Sequence, residues 1–215
     1  MTEAEWLASA DACGMLSAVL TGVSHRKARL IAAACCRVRW HRISDWPCRY
    51  AVELAESAAD GMATREQLTE AAAALRGGRK YGMTALVRCA LRLDPRWAAG
   101  GAVHHVRLMT ALETSGDRTE RAVAGANLKD EAAVLRCILG PLPFRSLQVD
   151  SVWLTSTVVE MARGIYDERA FDRLPILADA LQDAGCENAD VLAHCRGPGP
   201  HVRGCWVVDL VLGKA

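Results

Sequence analysis

Strand signals are what this sequence most lacks. Val, Ile and aromatic residues hardly alternate at period two anywhere, and only two phenylalanines and three tyrosines occur in 215 residues. A half-buried sheet needs that alternation, so a sandwich, a barrel or a doubly wound sheet is not expected. An excess of charge is missing too: 26 Lys and Arg against 25 Asp and Glu leave a net charge of +1. Such balance exerts no overall pull toward nucleic acid or an anionic membrane. No apolar run approaches the ~18–20 residues of a membrane-spanning helix. The opening MTEAEW is acidic and lacks the basic-then-apolar order of a secretory leader. A cytoplasmic location without a membrane partner is the expectation. Walker loops, G-x-S-x-G, H-E-x-x-H and kinase signatures are absent, as is a paired C-x2-C, so the reading leans away from an enzyme.

What is present is helix signal from end to end, and the expected fold is all-α: a multi-helix bundle or a short α-solenoid-like stack of helix pairs. Thr2 with Glu5 and Thr64 with Gln67 have capping-box spacing, and Asp11, Ser24 and Asp45 stand where further helices begin. Pro47 fits a first helical turn, and Gly61 and the Gly77-Gly78 pair fit helix stops. The Ala-rich middle is broken at Pro95 and at 115–117, and more firmly by GPLPF at 140–144, where two prolines cannot continue a helix. This order predicts a helical region over 1–139, a connector over 140–150 and a C-terminal helical subdomain over 151–215, packed as one globular unit. Helices are expected over 155–169, over 173–184 with Gly185 as stop, over 189–196, and from Pro200 to Gly213.

Several segments carry a resemblance: MTEAEWL at the start, RKARLIAAACCRVRW at 26–40, WLTSTVVEMARGIYDERAFDRLPILADALQDAGC at 153–186 and HCRGPGPHVRGCWVVDLVLGK at 194–214. Together they resemble an uncharacterised bacterial family of paralogous hypothetical proteins. Members of that family carry FGNPFRP where this chain has LGPLPFRSL at 139–147. The resemblance implies a common fold and supplies no activity, cofactor or partner.

Nine cysteines are an odd number and do not make a closed disulfide framework. Most are expected to act as small buried hydrophobes. The stretch HCRGPGPHVRGCW at 194–206 stands apart. Cys186, Cys195, His201 and Cys205 follow the spacing C-x8-C-x5-H-x3-C, a pattern that can supply four zinc ligands, with His201 and Cys205 one turn apart on the predicted last helix. His194 can substitute for Cys195, because neighbours on a helix diverge by about 100°. With all four positions filled by protein, such an ion is structural. The same stretch admits an anion site, with Gly197, Gly199 and Pro200 opening a helix and Arg196, His201 and Arg203 beside it. It also admits a Cys205–His201 nucleophilic pair, or a plain tight turn with the cysteines filling gaps.

A second candidate lies near the start. Between positions 12 and 52 the basic residues Arg26, Lys27, Arg29, Arg37, Arg39, Arg42 and Arg49 face Asp45 alone. With Trp40, Trp46 and Tyr50 interleaved they can contact phosphates and stack on bases; alternatively they pair with the acidic runs at 53–60 and 66–70. The functional expectation that leads is a non-catalytic interaction or scaffold module with a protein partner, stapled by zinc near the C-terminus. Its alternatives are a metal- or anion-dependent enzyme or ligand-binding regulator using the His194 to Cys205 loop, and a nucleic-acid-binding module using the Arg26 to Arg49 segment.

Overall fold

The computed structural model describes residues 1–77, 82–109, 129–141, 143–145 and 147–214 in full, and the helical backbone of 110–113 and 118–128. The break expected at 115–117 and the stop at Gly78 lie outside these residues. Among them are twelve α-helices and no strand, so the all-α expectation holds. In order they are α1 (Glu3–Ala8), α2 (Ala12–Val19), α3 (His25–Arg37), α4 (Trp46–Ala59), α5 (Arg65–Ala74), α6 (Met83–Ala90), α7 (Pro95–Glu113), α8 (Arg118–Leu139), α9 (Ser156–Glu168), α10 (Leu174–Asp183), α11 (Ala189–Arg196) and α12 (Trp206–Leu212). Among the described residues no helix is long and apolar enough to cross a membrane.

The helix starts follow local chemistry. Thr2 and Thr64 each close a full capping box, with Glu5 and Gln67 respectively. The hydroxyl of Ser24 accepts from the Lys27 N–H, and the carboxylate of Asp45 from that of Cys48. Each bond satisfies a backbone donor that the first turn leaves unpaired.

The chain divides into two compact units, Met1–Leu135 and Arg136–Ala215. The first is built around α3, which packs on α4, α6 and α7. Every residue from 28 to 36 is buried, Arg29 included. A helix buried on all sides must be apolar and slim all round, and ARLIAAACC meets that need. The neighbouring thiols of Cys35 and Cys36 lie in this seam, the second donating to the Ala32 carbonyl at 3.5 Å, and burial pushes both up. Two arginines tie the unit from within. Arg29 donates to the carbonyls of Ala90, Arg92 and Leu93 at 3.0, 2.9 and 3.2 Å, which satisfies acceptors left over where α6 ends. Arg39 forms a buried ion pair with Glu131 of α8.

In the second unit α9 packs on α10 and α12, and α11 on α10 and α12. The helix α10 stops at Gly185 (φ +90°), and the Cys186 N–H returns to the Leu181 carbonyl at 2.9 Å. This is a Schellman closure, whose last residue turns inward as an apolar contact. The expected helix from Pro200 is corrected: residues 197–205 form a turn and α12 starts at Trp206. Gly204 at φ +92° is the reason, because that conformation cannot continue a right-handed helix. At the end of α8, Gly140 (φ +62°) lies so close to the Trp206 indole that an added Cβ would stand 2.6 Å from the ring.

Two substitutions test this packing. Gly140→Ala is expected to destabilise the protein by at least about 1–3 kcal/mol through overpacking against Trp206 and an unfavourable φ, read by urea unfolding. Arg39→Met is expected to cost about 3–5 kcal/mol by leaving Glu131 charged and alone in the core, whereas Arg39→Met with Glu131→Leu regains most of that loss.

Candidate metal centre

One ligand atom each from Cys137, His194, His201 and Cys205 lie within 4.8 Å of one another, a set that could hold a metal ion. Three stretches of the second unit bring them together. Cys137 sits in the last turn of α8, His194 in the last turn of α11, and His201 in the middle and Cys205 at the end of the turn before α12. The contact of Gly140 with Trp206 carries the end of α8 onto the start of α12, and with it Cys137 onto Cys205.

The distances suit a small tetrahedral ion. His194 Nε2 lies 3.3 Å from Cys205 Sγ, and His201 Nδ1 lies 3.9 Å from Cys137 Sγ. A tetrahedron with metal–sulfur bonds of about 2.3 Å and metal–nitrogen bonds of about 2.0–2.1 Å has nitrogen–sulfur edges of about 3.5 Å. The two observed edges fall on either side of that value.

The outer contacts favour the same reading. His201 Nε2 lies 3.2 Å from the Gly197 carbonyl. A carbonyl only accepts, so Nε2 carries a proton and Nδ1 is the ring atom left to face the sulfurs. Ligating histidines are commonly held this way. The rings of His194 and His201 meet edge to face with centroids 4.9 Å apart, and Trp206 covers His194 at 5.3 Å. Cys137 and Cys205 are buried, while the histidines keep partial exposure and so leave a path to solvent.

Cys205 differs electrostatically from its fellows. Burial pushes up the thiols of Cys13, Cys89 and Cys195, and that of Cys48 to about 12. At Cys205 burial acts the same way, but hydrogen bonds from Cys137, His194 and His201 outweigh it and hold the thiol well below its ordinary value. On His201 burial works against the charged form, yet the bonds to Cys205 and to the Gly197 backbone raise its pKa. A thiolate is the form that binds metal.

Of the four ligands expected from spacing, His201 and Cys205 belong to this set, His194 takes the place of Cys195, and Cys186 gives way to Cys137. Cys195 is buried beside His194 on α11, where adjacent side chains diverge. Cys186 is drawn into the core by the closure of α10. Cys137 escaped the sequence reading because it stands 64 positions before His201. The helix stop at Gly140 was visible, but not the helix it packs against.

The other readings of this stretch lose their geometry. With α12 starting at Trp206 there is no helix N-terminus at Pro200 to receive an anion. Arg196 is held by Asp179 and Gln182 at 2.7 and 2.8 Å, and the Arg203 guanidinium lies 4.4 Å from the Tyr166 ring centroid. Cys205 has no exposure through which to attack a substrate.

At the basic stretch, Arg26 pairs with Asp60 at 3.1 Å, and Arg37 grips Glu56 with two bonds of 2.8 Å while stacking 4.0 Å over Trp40. With Arg39 on Glu131, three of the five candidate phosphate contacts are engaged inside the protein. Lys27 is half-buried at the start of α3, and Arg42 is exposed beyond it. No protein-family model matches the chain, and no curated protein or solved structure matches it either. The chemistry of the sites is therefore what bears on function.

Titration with cobalt(II), whose ligand-field absorption reports its donors, separates the two sets of cysteines. Cys137→Ser is expected to weaken binding by at least the roughly 10–100-fold that loss of even an outer-shell partner costs. Cys186→Ser is expected to leave it unchanged.

Proposed function

We propose that the chain is a non-catalytic helical interaction or scaffold module whose second unit is held by a structural zinc ion on Cys137, His194, His201 and Cys205. The observation that carries this reading is the convergence of four ligand atoms within 4.8 Å. Two thiolates and two imidazoles form a soft, tetrahedral set that suits zinc better than magnesium, calcium or manganese, which take oxygen. Four protein ligands leave no position for water or substrate, which makes the ion structural and speaks against a metal-dependent enzyme. Its role follows from the chain: it clamps the end of α8, the end of α11 and the start of α12, three stretches joined otherwise by a few helix contacts.

The interaction reading draws on the first unit. Trp46 and Tyr50, one turn apart on α4, stack in parallel at 5.2 Å and stand open to water, Trp46 at 71% exposure. Trp97 and Met62 are also largely exposed. Large aromatic side chains are the usual anchors of protein interfaces, and these have little to do in a chain that works alone.

Protein purified from zinc-replete medium is expected to contain one zinc per chain by elemental analysis, and a strong chelator is expected to lower its melting temperature. Metal-free protein with an unchanged melting temperature on chelation would remove the structural ion from the account.

A further inference from the structure

A cavity of about 610 Å³ opens in the first unit, and none of Cys137, His194, His201 and Cys205 lines it. Three arginines line it from three places: Arg76 just beyond α5, Arg88 in the last turn of α6, and Arg92 in the loop before α7. Thr69, Cys89 and His105 add polar atoms, and alanine and leucine side chains make up the rest. Among the described residues no carboxylate lines the cavity.

That charge pattern is unlike the rest of the unit. Arg26, Arg37 and Arg39 are each matched by a buried or half-buried carboxylate, and Arg29 by three carbonyls. Arg76, Arg88 and Arg92 bring three positive charges to the lining of one cavity, a local excess that attracts an anion. The frame behind them is firm. Arg29 fixes the carbonyls of Ala90, Arg92 and Leu93, so the loop carrying Arg92 cannot drift. His105 is bonded through Nε2 to the Gly82 backbone and holds the start of α6 against α7.

We propose that this cavity binds a small phosphorylated molecule, its phosphate oxygens taken by Arg76, Arg88 and Arg92 and its apolar part resting on the alanine and leucine wall. Arginine presents paired N–H groups that match phosphate oxygens two at a time. Three of them balance the two or three negative charges of a phosphate ester or diphosphate, whereas a single carboxylate leaves two unanswered. The volume lies within the roughly 300–1,000 Å³ of small-molecule sites, and the space is open on one side, so a ligand enters it directly from solvent.

Calorimetric titration of the full chain with pyrophosphate at constant ionic strength tests this, with succinate as a carboxylate of similar charge. Saturable binding of pyrophosphate is expected, weakened at least about tenfold in the Arg88→Gln/Arg92→Gln variant and partly retained when both become Lys, which keep charge but lose the paired donors. Both side chains are exposed, so neither variant removes core. Arg76→Gln, on a different element, gives an independent variant with the same expectation. No saturable binding by the wild type, equal affinity in the Gln variants, or succinate binding as tightly as pyrophosphate would each overturn the proposal.

Discussion

At the centre of the candidate site is one sulfur atom, that of Cys205, which has no contact with water and is met by groups from Cys137, His194 and His201. Burial keeps a thiol protonated, and for Cys35, Cys36, Cys89 and Cys195 it outweighs the arginines that oppose it. At Cys205 the surrounding donors reverse that outcome. A buried anion is costly unless a cation lies against it, and two imidazoles with a second thiol are a donor set that could hold a metal ion there.

The fold around it can be understood as what is needed to bring four side chains from distant positions to that point. Gly140 ends α8 in a conformation open to glycine and lets Trp206 approach without a Cβ between them. Gly204 stops a helix from forming early, so that His201 and Cys205 both lie in the turn before α12. The Gly197 carbonyl sets the tautomer of His201. In the first unit the organising element is α3, whose small side chains let three helices pack around it, while its arginines meet carboxylates and carbonyls. Arg76, Arg88 and Arg92, on other elements, line the cavity instead.

Much of this was legible along the chain wherever the cause is local. The capping residues Thr2, Ser24, Asp45 and Thr64 act on backbone groups three positions away, the break read from the prolines of GPLPF falls where α8 ends, and Gly185 stands where α10 stops. His194, His201 and Cys205 drew attention because they lie close together in sequence. The start of the last helix was misread because Pro200 is a good first-turn residue, whereas the chain turns at Gly204 with a positive φ before the helix begins. Cys137 and the three cavity arginines were not legible at all. Their meaning comes from which helix ends meet in space, and neither periodicity nor capping encodes that.

The central claim is the identity of the four donors, and X-ray absorption at the zinc edge of the zinc-loaded protein tests it most directly. Two sulfurs at about 2.3 Å and two imidazole nitrogens at about 2.0–2.1 Å are predicted. A sphere with three or four sulfurs, drawing in Cys186 or Cys195, or one completed by oxygen, would contradict it.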